Sequence, residues 1–219
     1  MDMVSPIVIV GAGGFGREVA SLLKRINRQS PTWELLGFYD DDTRTKPRGS
    51  RNEYGDILGT VDDLNQVTTP VAAILAIGFP NMLKSVKDRL TNPLISFPNI
   101  IAPEASILDP ENYQMGQGNI LSSFASISCN VRLGNFNVIN NRTSFGHDAV
   151  VGDFNTFMTA CRISGGTVIG NQNRFGVGAI VIPGVKIGTG VTVSPGSVIM
   201  RKPKDNSTYI GNPAKQFKI

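Results

Sequence analysis

The sequence predicts two folds in series: an α/β Rossmann-like βαβ domain, then a left-handed parallel β-helix of hexapeptide repeats. Three observations carry this. Apolar residues recur at strict six-residue spacing from Met115 to Ile199, and glycine directly follows several of them. Near the N-terminus, a glycine-rich turn joins a short apolar strand to a stretch of helical spacing.

The first domain opens with a largely apolar strand over Val4 to Val10. Gly11-Ala12-Gly13-Gly14-Phe15-Gly16 follows, then a helical stretch from Arg17 to about Asn27. Leu35 to Tyr39 reads as a second strand that closes on Asp40-Asp41-Asp42. The polar, basic segment from Thr43 to Gly55, with Pro47 and Gly49, reads as a loop. Val71 to Ile77 is a third strand ending in Gly78, and Asn81 to Leu90 has helical spacing. Strands and helices alternating in this order predict a parallel sheet. Ser96 to Ser106, which contains Pro98 and Pro103, reads as the bridge onward, so residues 1–98 and 99–219 are taken as two domains.

In the second domain Met115, Leu121, Ile127, Leu133, Ile139, Phe145, Val151, Phe157, Ile163, Ile169, Phe175, Val181, Ile187, Val193 and Ile199 form one apolar series. Helices repeat at 3.6 residues and strands at 2, so neither alone gives a period of six. A β-helix does, with three short faces per coil and one inward side chain per face. Gly134, Gly146, Gly152, Gly170, Gly176 and Gly188 follow inward residues, where a tight corner is expected to favour a residue without Cβ. Two positions before the inward residue, Ala125, Thr143, Ala149, Cys161, Ala179 and Ser197 suit a crowded interior.

The composition narrows the function. The chain has 219 residues, 41% hydrophobic and 17% charged, with a net charge of +4 that is too mild and scattered to argue for nucleic acid. Two cysteines and one histidine leave no disulfide framework and no metal constellation. The N-terminal stretch MDMVSPIVIVGAGG lacks a basic leader, and no run approaches the ~20 apolar residues of a membrane span. A soluble, cytoplasmic protein is expected.

Gly11, Gly13 and Gly16 satisfy G-x-G-x-x-G between strand and helix, where unpaired helix N–H groups favour a phosphate. A nicotinamide-dependent dehydrogenase is one reading. Fewer than 100 residues precede the β-helix, however, and a full dinucleotide fold needs a second half, so a mononucleotide or nucleotide-sugar site fits better. The bland alternative is that the glycines only let helix and strand pack closely. The lone histidine, His147, sits two residues after the inward Phe145, which places it outside near a corner, beside Asp148. A solvated histidine is the ordinary reading of such a residue. A neutral imidazole there, of unperturbed pKa near 6.5, could also take a proton from an attacking amine or hydroxyl.

Taken together, GAGGFGREVA, the strand ending FYDDD, AIGFPN, FGHDAVVGDF, VIGNQNRFGVGAIVIPGVKIG and YIGNPAK resemble the NeuD/PglD-type sugar O- and N-acetyltransferases. The resemblance covers nearly the whole chain. It implies a homotrimer with acetyl-CoA in the groove between β-helices, and a nucleotide-activated amino sugar held by the first domain. By position, His147 resembles the general base, with Asp148 as its supporting carboxylate. Asn140 matches an asparagine near the thioester, and Gly165, Val177 and Pro195 match positions lining the coenzyme groove. Thr156 stands where some relatives carry a second histidine that contacts the coenzyme. Gly13, Gly14 and Phe15 match the phosphate and uridine loop, Asp40 and Asp41 the acidic pair, and Gly78 the glycine after the third strand; some relatives have histidine in place of Phe15. The resemblance implies N-acetylation of a UDP-4-amino-sugar type acceptor. The alternatives are O-acetylation of a sialic acid or other hydroxyl acceptor, and a non-catalytic trimeric scaffold.

Overall fold

The computed structural model describes residues 4–217; Met1–Met3 of the N-terminal stretch, and the last two residues, lie outside that range. The chain divides into two compact units, residues up to 78 with 82–103, and residues 79–81 with 104 onward. Among the described residues no helix is long and apolar enough to cross a membrane.

In the first unit the strands are β1 (Ser5–Val10), β2 (Trp33–Tyr39), β3 (Arg51–Asn52), β4 (Gly55–Gly59), β5 (Val71–Leu75) and β6 (Ile95–Ser96), and the helices are α1 (Gly14–Gln29), α2 (Val61–Leu64) and, from Met82 on, α3 (Pro80–Arg89). The sheet runs β3-β4-β2-β1-β5-β6, parallel except for the β3–β4 hairpin. Ile7 to Val10 are all buried, as expected of a parallel strand covered on both faces. Helix α1 buries Val19, Ala20, Leu22 and Leu23, one stripe of its surface. Its end is tied to β2 by Asn27, whose Nδ2 donates to the Trp33 carbonyl at 2.6 Å and whose Oδ1 accepts from Thr32 and Trp33 N–H.

The segment expected as loop from Thr43 to Gly55 ends instead in the β3–β4 hairpin. Asn52 Oδ1 accepts from the N–H groups of Tyr54 and Gly55, so an Asx turn closes a hairpin that polar composition concealed. Helix α2, also unexpected, starts on a capping box in which Thr60 and Asp63 satisfy each other's backbone N–H.

The second unit is the left-handed parallel β-helix. Face one runs from Ile120–Leu121 through Val138–Ile139, Thr156–Phe157, Arg174–Phe175 and Thr192–Val193 to Thr208–Gly211, where Ala214–Phe217 adds an antiparallel strand. Face two runs from Ser106–Ile107 to Val198–Ile199, and face three from Gln114–Met115 to Lys186–Ile187. Of the fifteen residues in the apolar column, fourteen are buried, and Met115, which opens face three, is half-buried. Phe145, Phe157 and Phe175 fill the middle coils, with ring centroids 4.9 and 4.7 Å apart. Each such side chain contributes roughly 1.5–3 kcal/mol on leaving water.

Two features of the interior were not read from the sequence. The first is a ladder of fully buried asparagines, Asn119, Asn137, Asn155 and Asn173, one per coil on face one. Each Oδ1 accepts both the N–H and the Nδ2 of the next asparagine, at 2.9–3.1 Å. The Nδ2 groups also donate to the carbonyls of Gly134, Gly152, Gly170 and Gly188. Asn173 Oδ1 ends the ladder on the N–H of Val191. A buried polar column of this kind is stabilising only because every member is satisfied.

The second is the location of the corner. At six-residue spacing from 118 to 196, fourteen residues in succession have φ between +53° and +73°. This position lies three residues after the inward one, and eight of the fourteen are not glycine, Phe124, Asp148 and Gln172 among them. The expected reason for Gly134, Gly146 and their equivalents is therefore corrected. They do not have positive φ; they have no room, since a Cβ on Gly134 would lie 2.7 Å from the Gly152 carbonyl and one on Gly146 2.5 Å from Gly165 N.

Candidate active site

Phe145 turns inward on face two, and two residues later the chain leaves the face, so His147 and Asp148 project at the corner before face three. Asp148 takes the left-handed conformation (φ +60°), which Asp tolerates better than most residues. His147 Nδ1 lies 2.7 Å from Asp148 Oδ2. Asn130, one coil earlier in the same column, donates from Nδ2 to Asp148 Oδ1 at 3.3 Å. These two hydrogen bonds, His147 first, hold the Asp148 carboxyl below the usual carboxylate range. A carboxylate on Nδ1 selects the tautomer with the proton there, leaving the Nε2 lone pair free.

One coil later, Gly165 occupies the place equivalent to His147, and a Cβ there would stand 2.6 Å from His147 Nε2. The absent side chain leaves Nε2 unobstructed. Gly165 N–H makes no hydrogen bond among the described residues. His147 and Asp148 are 71% and 57% exposed, so the pair stands in solvent.

The structure joins His147, Asp148 and Gly165 and disperses the remaining predicted coenzyme residues. Asn140, Val177 and Pro195 lie at the other corner, between faces one and two. There Asn140 Nδ2 donates to the Phe157 carbonyl at 3.1 Å, while Val177 and Pro195 are exposed in successive coils. Thr156 is a correction: it sits on face one, fully buried, with no partner for Oγ1, and so lines no open groove. Asn130 was missed, although its 18-residue separation from Asp148 is a multiple of the period.

In the first unit β1 is flanked by β2 and β5, so the chain leaves the sheet in opposite directions on either side of it. Such a switch point makes a crevice at the strand ends. Gly11 to Phe15 follow β1 at this crevice and Gly78 lies just beyond β5. The glycines divide. Gly11 (φ +102°) would place a Cβ 2.8 Å from the Ala76 carbonyl, and a Cβ on Gly16 would strike the Gly11 carbonyl, so these two serve packing. Gly13, Gly14 and Gly78 would meet nothing within 4 Å. Gly13 caps α1 without a side-chain hydrogen bond, and Phe15 beside it is half-buried.

The acidic pair is already engaged. Asp40 Oδ2 accepts from Ala12 N–H at 2.7 Å and pairs with Lys46 at 3.2 Å, and its Oδ1 accepts from Asp42 N–H. Asp41 accepts from Val61 N–H at 3.0 Å and pairs with Arg89 at 2.5 Å. In place of the expected free hydroxyl-binding carboxylates, these two hold the turn and α2 in place.

Comparison with known proteins follows the same division. Residues 6–90 match the PglD N-terminal domain family, and residues 166–201 match the bacterial transferase hexapeptide (six repeats). The acetyltransferase domain of PglB from Neisseria gonorrhoeae FA1090, in complex with acetyl coenzyme A, superposes with a TM-score of 0.86 at 27% identity, over 98% of this chain and 100% of that one. The chain sets a PglD N-terminal domain ahead of transferase hexapeptide repeats, the pairing that the resemblance to the PglD/NeuD-type sugar acetyltransferases implied. It is thus an acyltransferase, as the resemblance implied. WeeI from Acinetobacter baumannii AYE matches this acyltransferase equally well, with a TM-score of 0.86 at 25% identity over 98% and 100% of the two chains. A perosamine N-acetyltransferase from Caulobacter crescentus, in complex with CoA and GDP-perosamine, shares the fold with a TM-score of 0.84 at 24% identity over 99% of each. No curated protein matches the sequence.

Proposed function

We propose that this protein transfers the acetyl group of acetyl-CoA to the amino group of a nucleotide-activated amino sugar of UDP-4-amino-sugar type, with His147 as general base. The observation that carries this is the 2.7 Å His147–Asp148 contact, with Nε2 left clear by Gly165. The acceptor amine attacks the thioester carbonyl while Nε2 removes its proton. The tetrahedral oxyanion is met by the free Gly165 N–H. The carbon–sulfur bond then breaks, and the coenzyme leaves as a thiol on taking the proton back from the imidazolium. A positioned base contributes about 10²–10⁴-fold.

Acetyl-CoA as donor is supported by its presence in the N. gonorrhoeae acetyltransferase domain. A cavity of about 440 Å³ edged by Arg201, Lys202, Lys215 and Tyr209 offers three cations for the phosphates of such a donor. The exposed Gly13–Gly14 turn at the α1 N-terminus is suited to the acceptor's nucleotide. The active assembly is a homotrimer. The test is release of coenzyme A thiol from acetyl-CoA with UDP-, GDP- and dTDP-linked amino sugars and their hydroxyl counterparts, alongside light scattering for mass. Turnover with an amino sugar is expected; turnover with the hydroxyl forms alone would make the enzyme an O-acetyltransferase, and neither would sink the reading.

A further inference from the structure

On the other side of Asp148 from His147, the coil widens. The segment from Glu111 to Gln114 walls a cavity of about 560 Å³, within the size range of small-ligand sites. Asp148 and Asn130, which hold the His147 ring through one another, belong to its lining, as do Arg132, Tyr113, Glu111 and Asn112. Its chemistry differs from that of the cavity among the cations near the C-terminus. Here two carboxylates, three amides, one guanidinium and one phenol surround a space with little aliphatic wall. Arg132 is exposed and makes no ion pair or hydrogen bond among the described residues, and Glu111 makes none either. Tyr113 is half-buried, with no hydrogen bond to its hydroxyl.

Planar donors and acceptors of this kind pair with adjacent hydroxyls two at a time, and an aromatic ring gives the carbon face of a pyranose something to rest on. A phosphate-binding site would show the opposite charge balance, and an acyl-chain site would be apolar. We infer that this cavity is the glycosyl subsite of the acceptor, with Arg132 and Tyr113 as its specificity-determining residues. The inference rests on the sugar-acetyltransferase reading and adds to it the side chains that read the sugar ring.

The test compares Arg132→Gln and Tyr113→Ala with the wild-type chain, measuring KM for acceptor and for acetyl-CoA, and binding of the acceptor by calorimetry. Loss of one charge-assisted contact predicts an acceptor KM and Kd about tenfold or more higher in Arg132→Gln, with KM for acetyl-CoA within about twofold. Arg132 is exposed, so its replacement leaves the fold intact even if Tyr113→Ala does not. Unchanged acceptor constants in Arg132→Gln overturn the subsite, and a raised KM for acetyl-CoA instead assigns the cavity to the donor. If the wild-type chain acetylates no sugar, the functional reading has failed; binding of amino sugars that Arg132→Gln weakens would still uphold the subsite, and no such binding would overturn it.

Discussion

In the turn after β1, two glycines are fixed by what surrounds them and two face open space. At the corner after Phe145, the left-handed position is given to Asp148, a residue whose side chain is the point of the corner. Both are tight turns beside a strand, yet one presents backbone and the other presents side chains. In the proposed function the turn would recognise by what is missing, since a phosphate needs N–H groups and clearance. The corner keeps a carboxylate at a left-handed position, as seven other corners keep residues other than glycine, and in the proposed mechanism that carboxylate is what the corner contributes; a left-handed non-glycine residue costs about 1–2 kcal/mol. Only around Gly165 do the two strategies meet, with an absent side chain making room for a present one.

This contrast can be broken by substitution. The largest effect is expected at His147: alanine lowers kcat/KM about 10²–10⁴-fold with unchanged thermal stability, because the ring is solvated. Retention of full kcat/KM with the true acceptor removes His147 from the chemistry. Next, Gly165→Ala drives a methyl against Nε2 and is expected to lower kcat/KM about 10²-fold, through misplacement alone. Its circular dichroism and melting curve test whether the loss is local.

In the turn the ordering reverses, with stability as the readout. Gly16→Ala destabilises by about 1–3 kcal/mol through overpacking against Gly11. Gly13→Ala, with nothing nearby, changes stability by less than about 0.5 kcal/mol yet weakens nucleotide-sugar binding. Denaturant melts and calorimetry on the two variants separate packing from recognition. Equal destabilisation by both would show that the whole motif is structural.

The smallest effect concerns pH. The folded Asp148 carboxyl titrates below its unfolded counterpart, so its contact with His147 is fully present above the ordinary carboxylate value of about 3.9 and is lost only as pH falls through the lowered one. Asp148→Asn should therefore lower kcat/KM at neutral pH by about tenfold while leaving thermal stability between pH 5 and 8 unchanged. A stability loss across that range would assign Asp148 a structural role.

The period of six was legible because each inward residue answers to the same geometric demand, and the corner of His147 followed from counting two residues past Phe145. The asparagine ladder was equally present, at a spacing of 18, but Asn137 and Asn155 read as ordinary polar residues when only the apolar phase is followed. The corner glycines were noticed with the wrong cause, because scarcity of space and positive φ leave the same mark in a sequence. Asp40 and Asp41 illustrate the limit further: acidic residues after a second strand look alike whether they await a ligand or already hold Ala12 and Val61. Thr156 was located by likeness to other chains, and likeness carries no information on what covers a side chain.

The asparagine ladder has a consequence for how this half of the molecule can change in length. Each amide is addressed to the one 18 residues away, so the stack counts its own coils. Removing 18 residues from the middle leaves every column facing its own kind, and a shorter solenoid results. Removing six keeps the apolar column intact but carries the asparagines onto the face of Val131, Ala149 and Thr167, where buried amides find no ladder to join. The apolar residues alone would accept either edit. The buried amides accept only the first, and it is they that make a whole coil the smallest unit by which the solenoid can grow or shrink.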